Sequence, residues 1–145
     1  MIKMKTTIPI KTIRLGFTGG TKWTNKNLLW KYLDYIIKND YTDYLVIFSV
    51  GDADGVDRYV REYAEEHNIV CYVFKPAFRL VNIPYNPRLF QARNIQNVDN
   101  SDEIYAFFPI GGSRGTQNTV DYANYRGKIL YIIKEKWLEK WEILH

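Results

Sequence analysis

The sequence predicts an α/β fold in which a doubly wound sheet of about five parallel strands is flanked by helices. Apolar runs alternate along the chain with segments of helical spacing, and three of those runs end in glycine-rich loops. The length of 145 residues fits one domain, and a hydrophobic content of 46% is enough for a sizeable core. Repeated alternation of strand and helix favours parallel strands joined by right-handed crossovers.

Five short apolar runs are predicted to be strands. Tyr44–Phe48 is apolar throughout, as expected of a strand that is buried on both faces of a sheet. Ile13–Thr18 is shorter and leads directly into glycines. The other three predicted strands are Ile69–Phe74, Glu103–Phe108 and Lys128–Ile133.

Four helices are predicted between these strands, each with its own boundary signal. Asn25 caps the first helix, whose apolar residues Leu28, Leu29, Tyr32, Leu33, Ile36 and Ile37 share one face and which closes at Asn39–Asp40. The second helix is Val56–His67, and Pro87 suits the first turn of a third helix over Arg88–Asn100. The fourth runs from about Thr116 to Tyr125, where Gly127 stops it. Residues 75–87 contain three prolines and are predicted to form a loop over a ligand.

The chain divides into a lead-in over residues 1–11, a domain over 12–134 and a C-terminal helix over 135–145. Trp137, Leu138, Trp141 and Leu144 form one apolar stripe on that helix, which is expected to pack on the domain or on a partner subunit. A homo-oligomer is also expected, with Trp137 and Trp141 as the candidate contact residues.

The composition argues against several classes of protein, namely membrane, secreted, disulfide-bonded and nucleic-acid-binding proteins. No apolar run is long enough for a membrane span, and Met1–Lys5 lacks the apolar core of a secretory signal, so a cytoplasmic protein without membrane contact is expected. A single cysteine, Cys71, excludes an intrachain disulfide, and its apolar neighbours favour a buried thiol over a nucleophile. The net charge of +4 is scattered, which argues against nucleic acid as the main partner. No metal and no cofactor are expected.

The three glycine-rich loops are Gly16–Gly20, Gly51–Arg58 and Gly111–Thr116. Each follows a predicted strand and precedes a predicted helix. Glycines let the backbone approach an anion, and the amides at a helix N-terminus point towards it. Because such loops gather at one edge of a parallel sheet, they predict a single nucleotide-sized site.

The ordered set of motifs resembles the YspA-like branch of the SLOG superfamily. Gly51–Arg58 resembles its G-x-A-x-G-x-D-R signature, and Gly16–Gly20 its first glycine turn. Further along, the similar segments are Lys75–Phe78, the pair Arg93 and Asn94, the strand Asp102–Phe108, and the pair Gly115 and Thr116. The resemblance implies a Rossmann-like single domain and a nucleotide or nucleotide-sugar ligand. Relatives include the cytokinin-activating LOG phosphoribohydrolases, DprA-type DNA-binding proteins and domains thought to sense nucleotide-derived signals.

One departure from the LOG pattern bears on catalysis. LOG hydrolases carry P-G-G-x-G-T-x-x-E, in which the glutamate helps to cleave the N-glycosidic bond. In this chain five residues instead of three separate Pro109 from Gly115, and Thr119 stands where the glutamate would be. Threonine cannot serve as that carboxylate base, so an enzyme of this kind would need Asp57 or Asp121 instead.

The candidate ligand-binding residues are Thr18, Gly19, Gly20, Gly51, Gly55, Asp57, Arg93, Asn94, Gly111, Gly112, Gly115 and Thr116. Arg93 suits a ligand phosphate because a guanidinium fork fits phosphate oxygens, although a surface charge is the alternative. Asp57 suits ribose hydroxyls, but an acid in the first helical turn also complements the helix dipole. Should the protein be an enzyme, Asp57 and Arg93 are the candidate catalytic residues.

Several of these residues have a structural alternative. Gly51 and Gly55 suit tight packing of the second helix nearly as well as ligand contact, and Thr116 suits a helix cap. Asp52 and Asp54 would oppose a phosphate, so capping, solvent exposure or sugar contact is favoured for them. Arg58 and Arg114 are secondary cations.

The leading prediction is a protein that binds a nucleotide or nucleotide-derived small molecule as a sensor or binding domain. The alternative is an N-glycosidase or phosphoribohydrolase acting on nucleoside monophosphates, and nucleic-acid binding of the DprA kind is less favoured. Phe78 and Trp23 are candidate base-stacking platforms, for which ordinary packing is the preferred interpretation.

Overall fold

The computed structural model describes residues 11–76 and 88–145. They contain five strands and five helices in strict alternation. The elements are β1 (Lys11–Gly19), α1 (Lys26–Asp40), β2 (Tyr44–Gly51), α2 (Val56–Glu66), β3 (Cys71–Phe74), α3 (Arg88–Asp99), β4 (Glu103–Phe108), α4 (Arg114–Tyr125), β5 (Ile129–Lys134) and α5 (Glu135–Leu144).

All five strands are parallel and lie in the order β3-β2-β1-β4-β5. The chain moves outward from β1 to β3 and then crosses back to place β4 on the other side of β1. The register sets Leu15 beside Phe48 of β2, and Phe17 beside Tyr105 of β4. This is the doubly wound, Rossmann-like α/β domain that the sequence predicts, and its strand order reverses between β1 and β4.

Helices cover both faces of the sheet. On one face α1 contacts α2 and α5, and on the other α3 contacts α4. The larger core includes Leu33 of α1, Val60 of α2 and Phe107 of β4, while Val98 of α3 and Ile104 of β4 belong to a smaller one. Since Ile104 and Phe107 come from the same strand, β4 is buried on both faces.

The boundaries differ from the sequence prediction mainly at strand ends. β1 and β2 extend to Gly19 and Gly51, so the glycines that were expected to follow the strands are their last residues. β3 begins only at Cys71, and α4 begins at Arg114, one half-turn before Thr116. The predicted lead-in falls outside the described residues except for Lys11, and the predicted loop over residues 75–87 does so from residue 77 onward.

The C-terminal helix α5 lies against α1 of the same chain. Leu138 is buried, and the indole of Trp141 makes edge contacts with Tyr32 and Tyr35, with ring centroids 5.4 and 5.2 Å away. Trp137, on the same apolar stripe, is 57% exposed. None of the described helices combines the length and the apolar character needed to cross a bilayer.

Candidate ligand site

The three glycine-rich loops meet at the carboxyl edge of the sheet. The β1–α1 loop touches the β2–α2 loop, where the Val56 amide donates to the Gly20 carbonyl oxygen across 3.4 Å. It also touches the β4–α4 loop, because a Cβ atom on Gly20 would lie 2.5 Å from Cγ of Pro109. The loops therefore form one continuous surface, as the sequence predicted for loops that follow parallel strands.

Glycine is required where these loops touch. Gly55 has a φ of +71°, and a Cβ atom there would lie 2.6 Å from the Gly20 carbonyl oxygen. At Gly19 a Cβ atom would overlap the side chain of Val56 at 2.5 Å. These two glycines are thus explained by close packing of α2 against β1, which was the structural alternative for Gly55.

A cleft of about 230 Å³ opens between the first and third loops. It lies between the ends of β1 and β4, where the strand order reverses and where ligands of open α/β sheets bind. Its lining residues are Gly20, Thr21, Lys22, Pro109, Gly112, Ser113 and Arg114. The set includes two cations and no carboxylate, so this cleft favours an anion. We call it the phosphate cleft.

The helix that begins at this cleft is capped by a residue that the sequence analysis did not single out. The Ser113 hydroxyl oxygen accepts from the Thr116 amide across 3.3 Å and lies 2.8 Å from the Thr116 hydroxyl. Thr116 is therefore a buried residue of the first turn, and the alternative that Thr116 itself caps the helix is wrong. Gly111 and Gly112 precede the cap with φ of +93° and +83°, which a residue with a Cβ atom rarely adopts.

Asp57 and Arg93 lie close together beside the end of β2. A Cβ atom on Gly51 would lie 2.6 Å from Oδ2 of Asp57 and 3.2 Å from Nε of Arg93, so the glycine makes room for both side chains. Asp57 is buried and accepts a hydrogen bond from the Ala53 amide across 3.3 Å. The structure thus brings together two residues that the sequence analysis paired as candidate catalytic groups.

Burial raises the pKa of Asp57 to about 7, because its carboxylate loses the solvation of water. The positive charge of Arg93 opposes this rise most strongly, followed by the Ala53 hydrogen bond and the charge of Arg61, while Asp52 adds to it. The Arg61 guanidinium stays next to the site because it donates to the carbonyl oxygens of Gly51 and Ala53 across 2.9 and 3.0 Å. A carboxyl group that titrates near neutrality is suited to proton transfer.

Arg93 forms a buried ion pair with Asp52, with Nη1 and Oδ1 separated by 2.7 Å and both side chains 9% exposed. Its Nε and Nη2 atoms also donate to the Asn94 side-chain oxygen across 3.3 Å. The sequence analysis favoured a capping, solvated or sugar-binding role for Asp52, and the ion pair gives it a different one. A ligand phosphate that contacts Arg93 would have to share the guanidinium group with Asp52 and Asn94 or displace them.

Two predicted site residues, Asn94 and Thr18, lie elsewhere, as does Thr119, which stands at the position of the LOG glutamate. Asn94 and Thr119 line a separate groove of about 150 Å³ between α3 and α4. The Thr119 hydroxyl donates to the Gly115 carbonyl oxygen across 3.1 Å. Thr18 is buried next to the end of β1, where it pairs with Ala106 of β4.

Asn97 is a buried polar residue that the sequence analysis missed. Its side-chain Nδ2 atom donates to the Phe17 carbonyl oxygen across 2.9 Å, and its Oδ1 atom accepts from the Ser49 hydroxyl across 2.7 Å. These bonds fasten α3 to both β1 and β2. Because Asn97 follows Arg93 by four residues on the same helical face, this anchoring positions Arg93 over the end of β2.

The remaining candidates are explained by packing or solvation. Trp23 is buried against Phe107, with ring centroids 5.7 Å apart, so it is a core residue and not a stacking platform. Phe78 falls outside the described residues. Asp121 is exposed and accepts from Gln117 across 2.8 Å.

Cys71 is half-buried, and burial raises the pKa of its thiol to about 11, so the thiolate is disfavoured. Within the described ranges, no three histidine, cysteine or acidic side chains come together in a way that could hold a metal ion.

Comparison with known proteins identifies a family but no individual relative. The family model of YAcAr, the YspA, cpYpsA-related SLOG family, matches residues 13–80. This range contains the first two glycine-rich loops and ends before Arg93 and the third loop. No curated protein and no solved structure matches the chain. At the level of the family, the match supports a nucleotide-related binding or modifying role. The match over residues 13–80 confirms the resemblance of this part of the chain to the YspA, cpYpsA-related SLOG family.

Proposed function

We propose that this protein binds a nucleotide or nucleotide-derived small molecule, with a phosphate group in the phosphate cleft. The observation that carries the proposal is the composition of that cleft. Two glycine-rich loops and the N-terminus of α4 meet there at the reversal of strand order, together with Lys22 and Arg114 and without an acidic side chain. This combination of backbone and charge suits phosphate.

The backbone supports the same conclusion. The amides of Arg114 and Gly115 belong to the first turn of α4 and donate to no acceptor within the described ranges. Amides of this kind, aided by the positive end of the helix dipole, are ordinary phosphate ligands. Apart from their own chain neighbours and the backbone of α4, no described atom lies within 4 Å of where a Cβ would stand on Gly112 or Gly115, so the described residues leave the approach to this turn open.

A second candidate function, hydrolysis of the N-glycosidic bond of a nucleoside monophosphate, is favoured by one observation. Asp57 is a buried carboxyl group with a pKa of about 7 beside Arg93, and such a group can exchange a proton with a substrate or a water molecule. Asp121, the other carboxylate considered for this role, is exposed and accepts a hydrogen bond from the Gln117 side chain. Release of free base from a panel of nucleoside monophosphates, abolished in Asp57→Asn, is the expected sign of this activity.

The binding proposal is tested by thermal-shift and calorimetric titration with nucleoside mono-, di- and triphosphates, ADP-ribose and cyclic nucleotides. A ligand at a hundredfold excess over its Kd stabilises the folded state by about 2.7 kcal/mol, which is visible as a higher Tm. The test variant is the double substitution Lys22→Ala and Arg114→Ala, which removes both cations of the phosphate cleft. Arg93→Ala is unsuitable, because it would break the buried ion pair with Asp52.

A matched control removes two exposed cations elsewhere, Lys38→Ala on α1 and Lys140→Ala on α5, and so changes the net charge equally. We expect the cleft variant to lose at least tenfold in affinity, because charge-assisted hydrogen bonds to phosphate are lost, while the control binds as the wild type does. A folded protein that binds none of these compounds would overturn the proposal. Equal losses in both double variants would attribute binding to overall charge.

A further inference from the structure

A second, larger cleft adjoins the phosphate cleft. Its volume is about 700 Å³, and it lies on the other side of the β4–α4 loop, towards β5. The two clefts share four lining residues, Pro109, Gly112, Ser113 and Arg114. One ligand can therefore lie in both, with its phosphate over the first turn of α4 and the rest of the molecule in the larger cleft.

The larger cleft has the character of a small-molecule site. Most of its wall area is apolar and includes the side chains of Phe108, Ile110 and Ile132. The polar lining residues are Ser113, Arg114, Gln117, Lys134, Glu135 and Lys136. A volume between about 300 and 1,000 Å³, with mainly apolar walls and a few polar groups, is typical of pockets that bind cofactor-sized or drug-sized ligands. Apolar walls of this kind suit the faces of a nucleobase.

Among the described residues, Glu135 is the one carboxylate that lines this cleft. It is the first residue of α5, and its side chain is buried, with only 5% of the residue exposed. The three cations that line the same cleft, Arg114, Lys134 and Lys136, are exposed. Its Oε1 atom accepts from the Ile110 amide across 3.3 Å, which ties α5 to the β4–α4 loop. Its Oε2 atom receives no hydrogen bond from the part of the chain that the structure describes.

A carboxylate that is buried to this degree gains from every additional donor it can accept. Carboxylates at the carboxyl edge of a Rossmann-like sheet bind ribose by accepting from its hydroxyl groups. A nucleoside in the larger cleft would bring such hydroxyl groups next to the phosphate cleft, since the sugar of a nucleotide lies between base and phosphate. The open oxygen of Glu135 is available to them.

We infer that Glu135 holds the ribose of a ribonucleotide in the larger cleft, and that it thereby selects ribonucleotides over 2′-deoxyribonucleotides. The inference rests on the proposed function, because it takes the phosphate cleft as the site of the phosphate. It transfers the ribose contact from Asp57, where the sequence analysis placed it, to a residue near the opposite end of the chain. Asp57 already accepts from the Ala53 amide and lies beside Arg93, whereas Glu135 lines an open cleft.

The test compares AMP and GMP with their 2′-deoxy counterparts by calorimetric titration of the wild type and of Glu135→Gln. Glutamine keeps a side-chain oxygen for the Ile110 amide, so the loop retains its anchor, and the carboxylate is lost. Glu139→Gln is the matched control, because Glu139 is an exposed residue of the same helix. Asp57→Asn is titrated in parallel as the alternative ribose ligand.

We expect the wild type and Glu139→Gln to prefer the ribonucleotide by tenfold or more, the size of effect that a hydrogen bond to a charged group produces. Glu135→Gln is expected to lose most of that preference through weaker ribonucleotide binding. A preference that survives Glu135→Gln and disappears in Asp57→Asn, or a wild type that binds both sugars equally, overturns the inference while the proposed function stands. Binding of neither sugar form to a folded protein, with the wider nucleotide panel also silent, overturns both.

Discussion

Asp57 carries a carboxyl group that the folded protein prefers to keep protonated. Burial raises its pKa to about 7, against about 3.9 for an aspartate in an unfolded chain. The folded state therefore binds more protons than the unfolded state between about pH 4 and pH 7. The contribution of this group to stability is fully present below pH 4, declines as the pH rises, and is lost above pH 7.

The expected consequence is that Asp57→Asn flattens the dependence of stability on pH. Measured by urea unfolding from pH 4 to pH 8, the free energy of unfolding of the wild type should fall relative to that of the variant by up to about 4 kcal/mol. The charged and titratable groups that surround Asp57 are Arg93, Arg61, Asp52 and Cys71, and all four are unchanged in the variant. If the free energy of unfolding varies with pH in the same way in both proteins, the pKa of Asp57 is that of an ordinary aspartate and the prediction is wrong.

At the scale of single residues, the sequence identified the candidate groups but not their partners. The pairing of Asp57 with Arg93 was predicted only through the family motifs. The ion pair between Arg93 and Asp52 joins residues 41 positions apart, and no local pattern encodes it. Glu135 was assigned only to an amphipathic helix, because its burial depends on how α5 meets the β4–α4 loop.

At the scale of elements, Ser113 controls how α4 begins next to the phosphate cleft. Ser113→Ala removes the acceptor of the Thr116 amide and the partner of the buried Thr116 hydroxyl, so we expect a loss of about 1–2 kcal/mol in the free energy of unfolding. Ser113→Asn is the matched control, because asparagine is an equally good N-cap. Urea unfolding of both variants measures the effect, and equal destabilisation by the two substitutions would contradict the capping role.

The strands and helices could be predicted because the spacing of apolar residues and the signals at the element boundaries indicate the same elements. The five apolar runs are the five described strands, and the spacing of apolar residues identified α1, α2 and α4. The start of α4 was misplaced because Gly115 and Thr116 carry the family motif, while the actual cap is the ordinary Ser113. Strand ends were drawn too short at Gly19 and Gly51, since glycine was interpreted as the end of a strand although the pairing continues through it.

At the scale of the whole molecule, the topology explains why the site forms. Parallel strands in the order β3-β2-β1-β4-β5 bring the ends of β1 and β4 together, although about 90 residues separate them along the chain. The glycines then allow the three loops to touch. The sequence predicted this convergence from the alternation of elements, but the division of the edge into two clefts depends on side-chain packing that the alternation does not encode.

The C-terminal helix α5 carries an apolar stripe, of which one part is buried and another part is exposed. Leu138 is 3% exposed within the core, so Leu138→Ala should lower the free energy of unfolding by about 2–5 kcal/mol through lost burial and a cavity. Trp137 is 57% exposed, so Trp137→Ala should change that free energy by less than about 0.5 kcal/mol if the protein is monomeric.

Urea unfolding of both variants at two protein concentrations tests this, since only a subunit contact makes stability depend on concentration. A marked loss in Trp137→Ala at low concentration would assign that face to a subunit contact. A small effect of Leu138→Ala would contradict the docking of α5 on α1. Because Glu135 is the first residue of α5, loosening the helix through Leu138 should also weaken ribonucleotide binding in the larger cleft.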